Sequence, residues 1–177
     1  ELPEPQQVVY KLNGLLDKDI ATYKIYRVPM DKHARFSAIS RTYKYYIDKT
    51  KDPFTYPFAW KAYPLPDIQA MNEACRVLFD YTDFTSFSKL HTDVKTNNCI
   101  IYEAQWEETD KQLIFTVKAN RFLRNMVRAI VGTLIDVGRG KLTPEDVRKI
   151  IESKNRCNAG TSVPAQALFL CHIEYPE

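Results

Sequence analysis

No glycine-rich phosphate loop, no Gly-x-Ser-x-Gly elbow and no His-Glu-x-x-His pair occurs in these 177 residues. The common signatures of nucleotide binding, serine hydrolysis and zinc proteolysis are therefore absent. Cysteine is sparse, with four residues at 75, 99, 157 and 171 and no Cys-x-x-Cys, too widely spaced for the paired ligands of a zinc site. The sequence implies no metal site and no cofactor motif. No apolar run approaches the roughly 18 residues that cross a bilayer, and no charged stretch followed by an apolar one opens the chain. Four scattered thiols without such a leader read as reduced cytosolic cysteines. The chain opens on Glu1 and its first element begins within a few residues, so it reads as a piece of something longer.

What is present is apolar mass and unevenly placed charge. Hydrophobic residues make up 45% of the chain, enough for a packed core. Net charge is only +3, yet residues 23–51 carry +6 and residues 111–156 carry +7, which leaves −10 for the rest. Two basic stretches on an otherwise acidic chain imply an anionic partner wherever folding brings them together.

Apolar spacing predicts a short helix over 6–16, interrupted at Gly14, and alternation predicts a strand over 20–28. Period two places Ile39, Arg41, Tyr43, Tyr45 and Ile47 on one face of a second strand. Such a face can stack or hydrogen-bond a base, although strands are rich in tyrosine for packing reasons alone. Prolines at 53, 57, 64 and 66 among aromatics mark residues 53–66 as a linker. It divides an N-terminal piece, 1–52, from a C-terminal subdomain, 67–177. Beyond it, Asp67 caps a helix, and residues 83–98 form a long polar loop with a basic tip at Lys89, His91 and Lys95. Residues 99–107 and 112–119 pair as a hairpin. Thr143-Pro144-Glu145-Asp146 is a capping box opening a helix to about residue 154, and a closing strand spans 167–173. The order implies an α+β fold, a mostly antiparallel sheet with helices packed on one face.

Residues 118–138 dominate the pattern. Apolar residues at Phe122, Leu123, Met126, Val127, Ile130, Leu134 and Val137 recur at the helical period behind Asn120, a favourable N-cap. Arg121, Arg124 and Arg128 then fall on the opposite side, with Gly132 beside them leaving room for another backbone or a ligand, and Gly138 as the left-handed residue that ends the helix. An amphipathic helix with solvated arginines satisfies this pattern; so does a row of guanidiniums facing a polyanion.

Four motifs in register resemble the tRNA pseudouridine synthase A family. They are HARFSA with Arg-x-Tyr-x-Tyr (residues 33–38, then Arg41, Tyr43 and Tyr45), DFTSF (83–87), KANRFLRNMVRAIVGTLIDVG (118–138) and AGTSVPAQALFL (159–170). The resemblance runs from about Gln6 to Pro176. It implies a pseudouridine synthase fold with RRM-like halves, residues 1–52 being what remains of the N-terminal subdomain. It further implies a cytoplasmic homodimer that isomerises uridine at positions 38, 39 and 40 of the tRNA anticodon stem-loop without cofactor or metal. The family's aspartate nucleophile lies in a Gly-Arg-Thr-Asp-Ala-Gly motif that these residues do not contain, so the chain is expected to be inactive alone. Carried over by motif, Tyr43 packs on the flipped uracil, Arg128 pairs with the nucleophilic carboxylate and Leu168 lines the uracil pocket. Arg35, Lys51, Lys89, His91, Arg121 and Arg124 are the expected RNA contacts. A non-catalytic RNA-binding domain and a self-association module are the competing readings.

Overall fold

The computed structural model describes residues 4–89 and 96–176, so His91 lies outside the described residues. The chain forms two compact units, Glu1–Ser37 and Ala38–Glu177. The first holds α1 (Pro5–Leu15), which runs through Gly14 without interruption and has no buried residue. Residues 20–28 form no strand. Their alternation supplies two faces but no neighbour: no described strand pairs with them, and Ile20, Tyr23, Tyr26 and Val28 are all exposed.

The second unit is built on β1 (Ser40–Asp48), which includes two β-branched residues and three tyrosines. One edge of β1 pairs antiparallel with β4 (Gln112–Ala119) along its length. The other edge is divided: β5 (Leu168–Glu174) pairs antiparallel with its first half, and β2 (Trp60–Lys61), inside the proline-rich stretch, pairs parallel with Ile47 and Asp48. β3 (Ile101–Glu108) completes the sheet on the far side of β4 as a hairpin. The expected α+β class is found, a five-stranded sheet with one parallel pair.

Strand alternation puts Tyr45 and Ile47 on the same side as Leu113, Phe115 and Val117, where α2 (Ile68–Val77), α3 (Met126–Gly138) and α4 (Pro144–Glu152) contribute to one core. Met71 and Ala74 of α2, Met126, Ile130 and Leu134 of α3, and Val147 and Ile151 of α4 are buried there. Local signals set the helix starts. Asp67 accepts hydrogen bonds from the backbone of Gln69 (2.8 Å) and Ala70 (3.2 Å). Thr143 and Asp146 form the expected reciprocal box.

The arginine helix departs from expectation. β4 continues to Ala119, and Asn120 closes the hairpin: its backbone N–H donates to the Ile100 carbonyl and its Oδ1 accepts from the Ile100 N–H. Residues 121–125 form a link, and α3 starts only after Asn125, whose φ of 70° is left-handed. Asparagine tolerates that region. The periodicity was satisfied by Phe122 and Leu123 turning into the core from the link rather than from a helix. Gly138 is the last helical residue; a Cβ there would meet Pro66 and Met71, and the left-handed residue is Gly140, at φ 69°. Gly132 does make room for another backbone, since a Cβ there would collide with the Thr161 carbonyl.

Candidate active site around Arg128

Arg128 sits in the first turns of α3, half-buried. Its Nε–H donates to the Val163 carbonyl at 2.6 Å, while the Val163 N–H donates to the Arg128 carbonyl at 3.3 Å. Two bonds thus fix both backbone and side chain against residues 159–163. With Nε engaged, the forked end of the guanidinium keeps its donors, and among the described residues no carboxylate pairs with it. A planar fork with unengaged donors suits a carboxylate or a phosphate.

The next carbonyl, that of Pro164, accepts from the Tyr45 hydroxyl at 2.9 Å. Burial holds the Tyr45 phenol protonated well above its ordinary range, and the Arg128 charge opposes this only in part. Leu168 lies opposite Tyr45 in the β1–β5 register and is half-buried. Tyr43 is the next residue on the same face, roughly 7 Å along the strand. Its ring meets the edge of Phe122 at 5.1 Å and 88°. Burial raises the Tyr43 phenol too, against a smaller lowering by Arg41. The arginine-and-two-tyrosine face expected of β1 is therefore not an open stacking surface. Tyr45 and Ile47 are fully buried by the helices, and Arg41 donates to the carbonyls of Ala38 (2.8 Å) and Asn120 (2.7 Å).

The basic residues divide. Arg121 and Arg124 occupy the link before α3, not the helix, so they do not form a row with Arg128. Lys89 joins them, its backbone N–H donating to the Arg124 carbonyl at 3.0 Å. Lys51 follows the other end of β1, where Asp48 pairs with Gln112, a strand's length from Arg121. Arg35 belongs to the first unit, its guanidinium 5.6 Å from the centre of the Phe36 ring. A cavity of about 430 Å³ opens on the Tyr46 side of the sheet, lined by Tyr46, Phe58, Gln112 and Phe169 among others; among the described residues, none of those expected at the site lines it. Sequence reasoning missed Asn125, Arg156 and Ser162, which hold residues 159–163 in place. They are separated along the chain, and no periodicity or spacing links them.

Ionisation gives a stability test. Burial pushes Cys75 up to about 12 and Cys99 up to about 11, and raises Tyr43 and Tyr45 above their ordinary 10. All four are neutral in the fold, so unfolding favours their charged forms once pH exceeds the unfolded values of about 9 for Cys and 10 for Tyr. The contribution is complete below pH 9 and is lost as pH rises through the folded values. Urea midpoints at intervals from pH 7.5 to 11.5 should stay level to about 8.5 and then fall; a level profile throughout would show these groups to be solvated.

Among the described residues no group of three or more His, Cys, Asp or Glu is placed to hold a metal, and no helix is long and apolar enough to cross a membrane. Residues 74–176 match a family model described as tRNA pseudouridine synthase. A Parabacteroides distasonis protein named tRNA pseudouridine synthase A is 62% identical over 167 residues, covering 94% of this chain and 66% of the relative. Proteins of the same name from Bacteroides fragilis and Bacteroides thetaiotaomicron are 59% and 58% identical, covering 97% and 96% of this chain and 68% and 64% of theirs. The chain spans about two thirds of the length of these relatives.

Proposed function

The chain belongs to the tRNA pseudouridine synthase family, and from that premise we propose that it is the larger part of an enzyme converting uridine to pseudouridine in the tRNA anticodon stem-loop, at positions 38, 39 and 40. The reaction breaks the bond from the ribose to N1 of uracil and forms one to C5; C5 gives up its hydrogen as a proton and N1 takes one up, so the composition of the RNA is unchanged. The base must leave its stack to be worked on. In this reading Tyr43 packs against the extruded uracil, Leu168 lines its pocket, and Arg128 holds the nucleophilic carboxylate ionised and aimed. That carboxylate comes from outside the 177 residues. The single observation that supports the reading most is Arg128 itself: a guanidinium clamped at Nε to the Val163 carbonyl, its charge felt by Tyr45, across from which Leu168 stands in the strand register, with its fork left for an anion.

Lys89, Arg121 and Arg124 supply phosphate contacts at one end of the sheet, and Arg35, Lys51 and His91 supply others; each is individually replaceable, because such contacts position RNA rather than act on it. The enzyme works as a homodimer in the cytoplasm. Release of tritium from uracil C5 in labelled tRNA tests the reading. The longer protein carrying the Gly-Arg-Thr-Asp-Ala-Gly segment should release it, and the 177-residue chain should not. Turnover by the 177 residues alone would place the nucleophile among them; tRNA binding without release by the longer protein would favour a non-catalytic RNA-binding module.

A further inference from the structure

Asn125, Arg128 and Gly132 are three and four residues apart, so they share one face of α3 and its first turn. Residues 159–163 close on that whole face. The Gly160 N–H donates to Thr133 Oγ1 at 2.9 Å, and the Thr161 carbonyl occupies the space a Gly132 side chain would need. Asn125 Nδ2 donates to Ser162 Oγ at 2.6 Å, and Val163 holds Arg128 at both bonds already described. The segment is irregular and has no strand partner of its own, so its shape must come from side chains.

One side chain supplies most of it. Arg156 Nη1 donates to the carbonyls of Ala159 (3.4 Å) and Gly160 (3.2 Å), and Nη2 donates to Ser162 Oγ (2.8 Å). Among the described residues no carboxylate pairs with Arg156. Its fork is engaged with three neutral acceptors spread over four residues, an arrangement that a single ammonium cannot reproduce. Ser162 is the hub, accepting from Arg156 on one side and from the residue that opens α3 on the other.

We propose that Arg156 is a positioning residue for Arg128. By fixing residues 159–162 it sets where the Val163 carbonyl stands, and that carbonyl sets the direction of the Arg128 guanidinium. This rests on the proposed pseudouridine synthase activity only for its catalytic consequence; the hydrogen bonds from Arg156 to Arg128 through residues 159–163 do not depend on it.

The first measurement is solvent exchange of the Arg128 Nε–H by NMR in the 177-residue chain. Arg156→Ala should speed it about tenfold or more as the Val163 acceptor loosens, and Ser162→Ala should do so to a smaller degree. Arg156→Lys keeps charge and stem and guards against a variant that fails to fold; it should fall between wild type and alanine. Arg148→Ala, which removes the partner of Asp80 elsewhere, should leave the signal unchanged. Unchanged exchange in Arg156→Lys and Ser162→Ala would overturn the proposal. The second measurement is turnover in the longer protein, where Arg156→Ala should lower kcat roughly 10- to 100-fold at a KM for tRNA within about twofold. A raised KM at unchanged kcat would make Arg156 an RNA contact instead. Wild-type protein that shows the exchange pattern but converts no uridine would sink the functional reading while leaving the positioning role standing.

Discussion

Gly132→Ala should lower stability by about 2 kcal/mol or more, moving the thermal midpoint down by roughly 4–8 °C in a domain of this size. The added Cβ would land on the Thr161 carbonyl, and backbone is the neighbour least able to yield. Overpacking of this kind costs about 3 kcal/mol at its upper end, and the better helix propensity of alanine offsets about 1 kcal/mol of that. Gly14→Ala is the matching control. It too lies in a helix, but nothing stands within 4 Å of its added Cβ, so the variant should gain helicity and lose no stability. Urea and thermal melts of the two proteins read the contrast. Equal midpoints would mean that residues 159–163 are not seated against α3.

Arg128→Lys should reduce turnover of the longer protein by about 100-fold or more while shifting its melting temperature little. Charge is retained, so any loss traces to geometry. Lysine ends in one compact ammonium and has no Nε–H to hold the Val163 carbonyl while a separate fork faces an anion. Tritium release at saturating tRNA measures the effect on kcat. Turnover within a few-fold of wild type would show that only a positive charge is needed, and would remove Arg128 from the role proposed for it.

The parts of this fold legible in the sequence were those governed by neighbours in the chain. Asp67 and the Thr143 box define helix starts because a cap and its N–H donors lie within three residues. The β3–β4 hairpin was legible because alternation and a four-residue turn are local as well. The link at 121–125 was not. Phe122 and Leu123 fit a helical stripe as well as they fit a turn into the core, and nothing local announces the left-handed Asn125. Residues 20–28 failed for the complementary reason: alternation describes a strand's faces, while pairing needs an edge that the pattern cannot supply. Period two does place Tyr43, Tyr45 and Ile47 on one face of β1, but which side the helices cover is decided by the rest of the chain. At the candidate site, resemblance singled out Tyr43, Arg128 and Leu168. The hydrogen bonds that organise Arg128 run through Val163, Ser162 and Arg156, a quarter of the chain or less from α3 yet linked to it only by folding.

The divided edge of β1 also bears on how the protein is made. Tyr43 and Tyr45 reach their partners in β5 only across a long separation, Ser40 bonding to Glu174 over 134 positions. During synthesis the β3–β4 hairpin and the three core helices can assemble before β5 leaves the ribosome, because all of them precede it in the chain. The half of β1 that carries both tyrosines stays open until β5 has emerged. A nascent chain arrested before that point would already hold the Arg128–Val163 contact, because both residues precede β5, but the strand opposite Tyr43 and Tyr45 would be missing, so that edge of β1 would close in one late step.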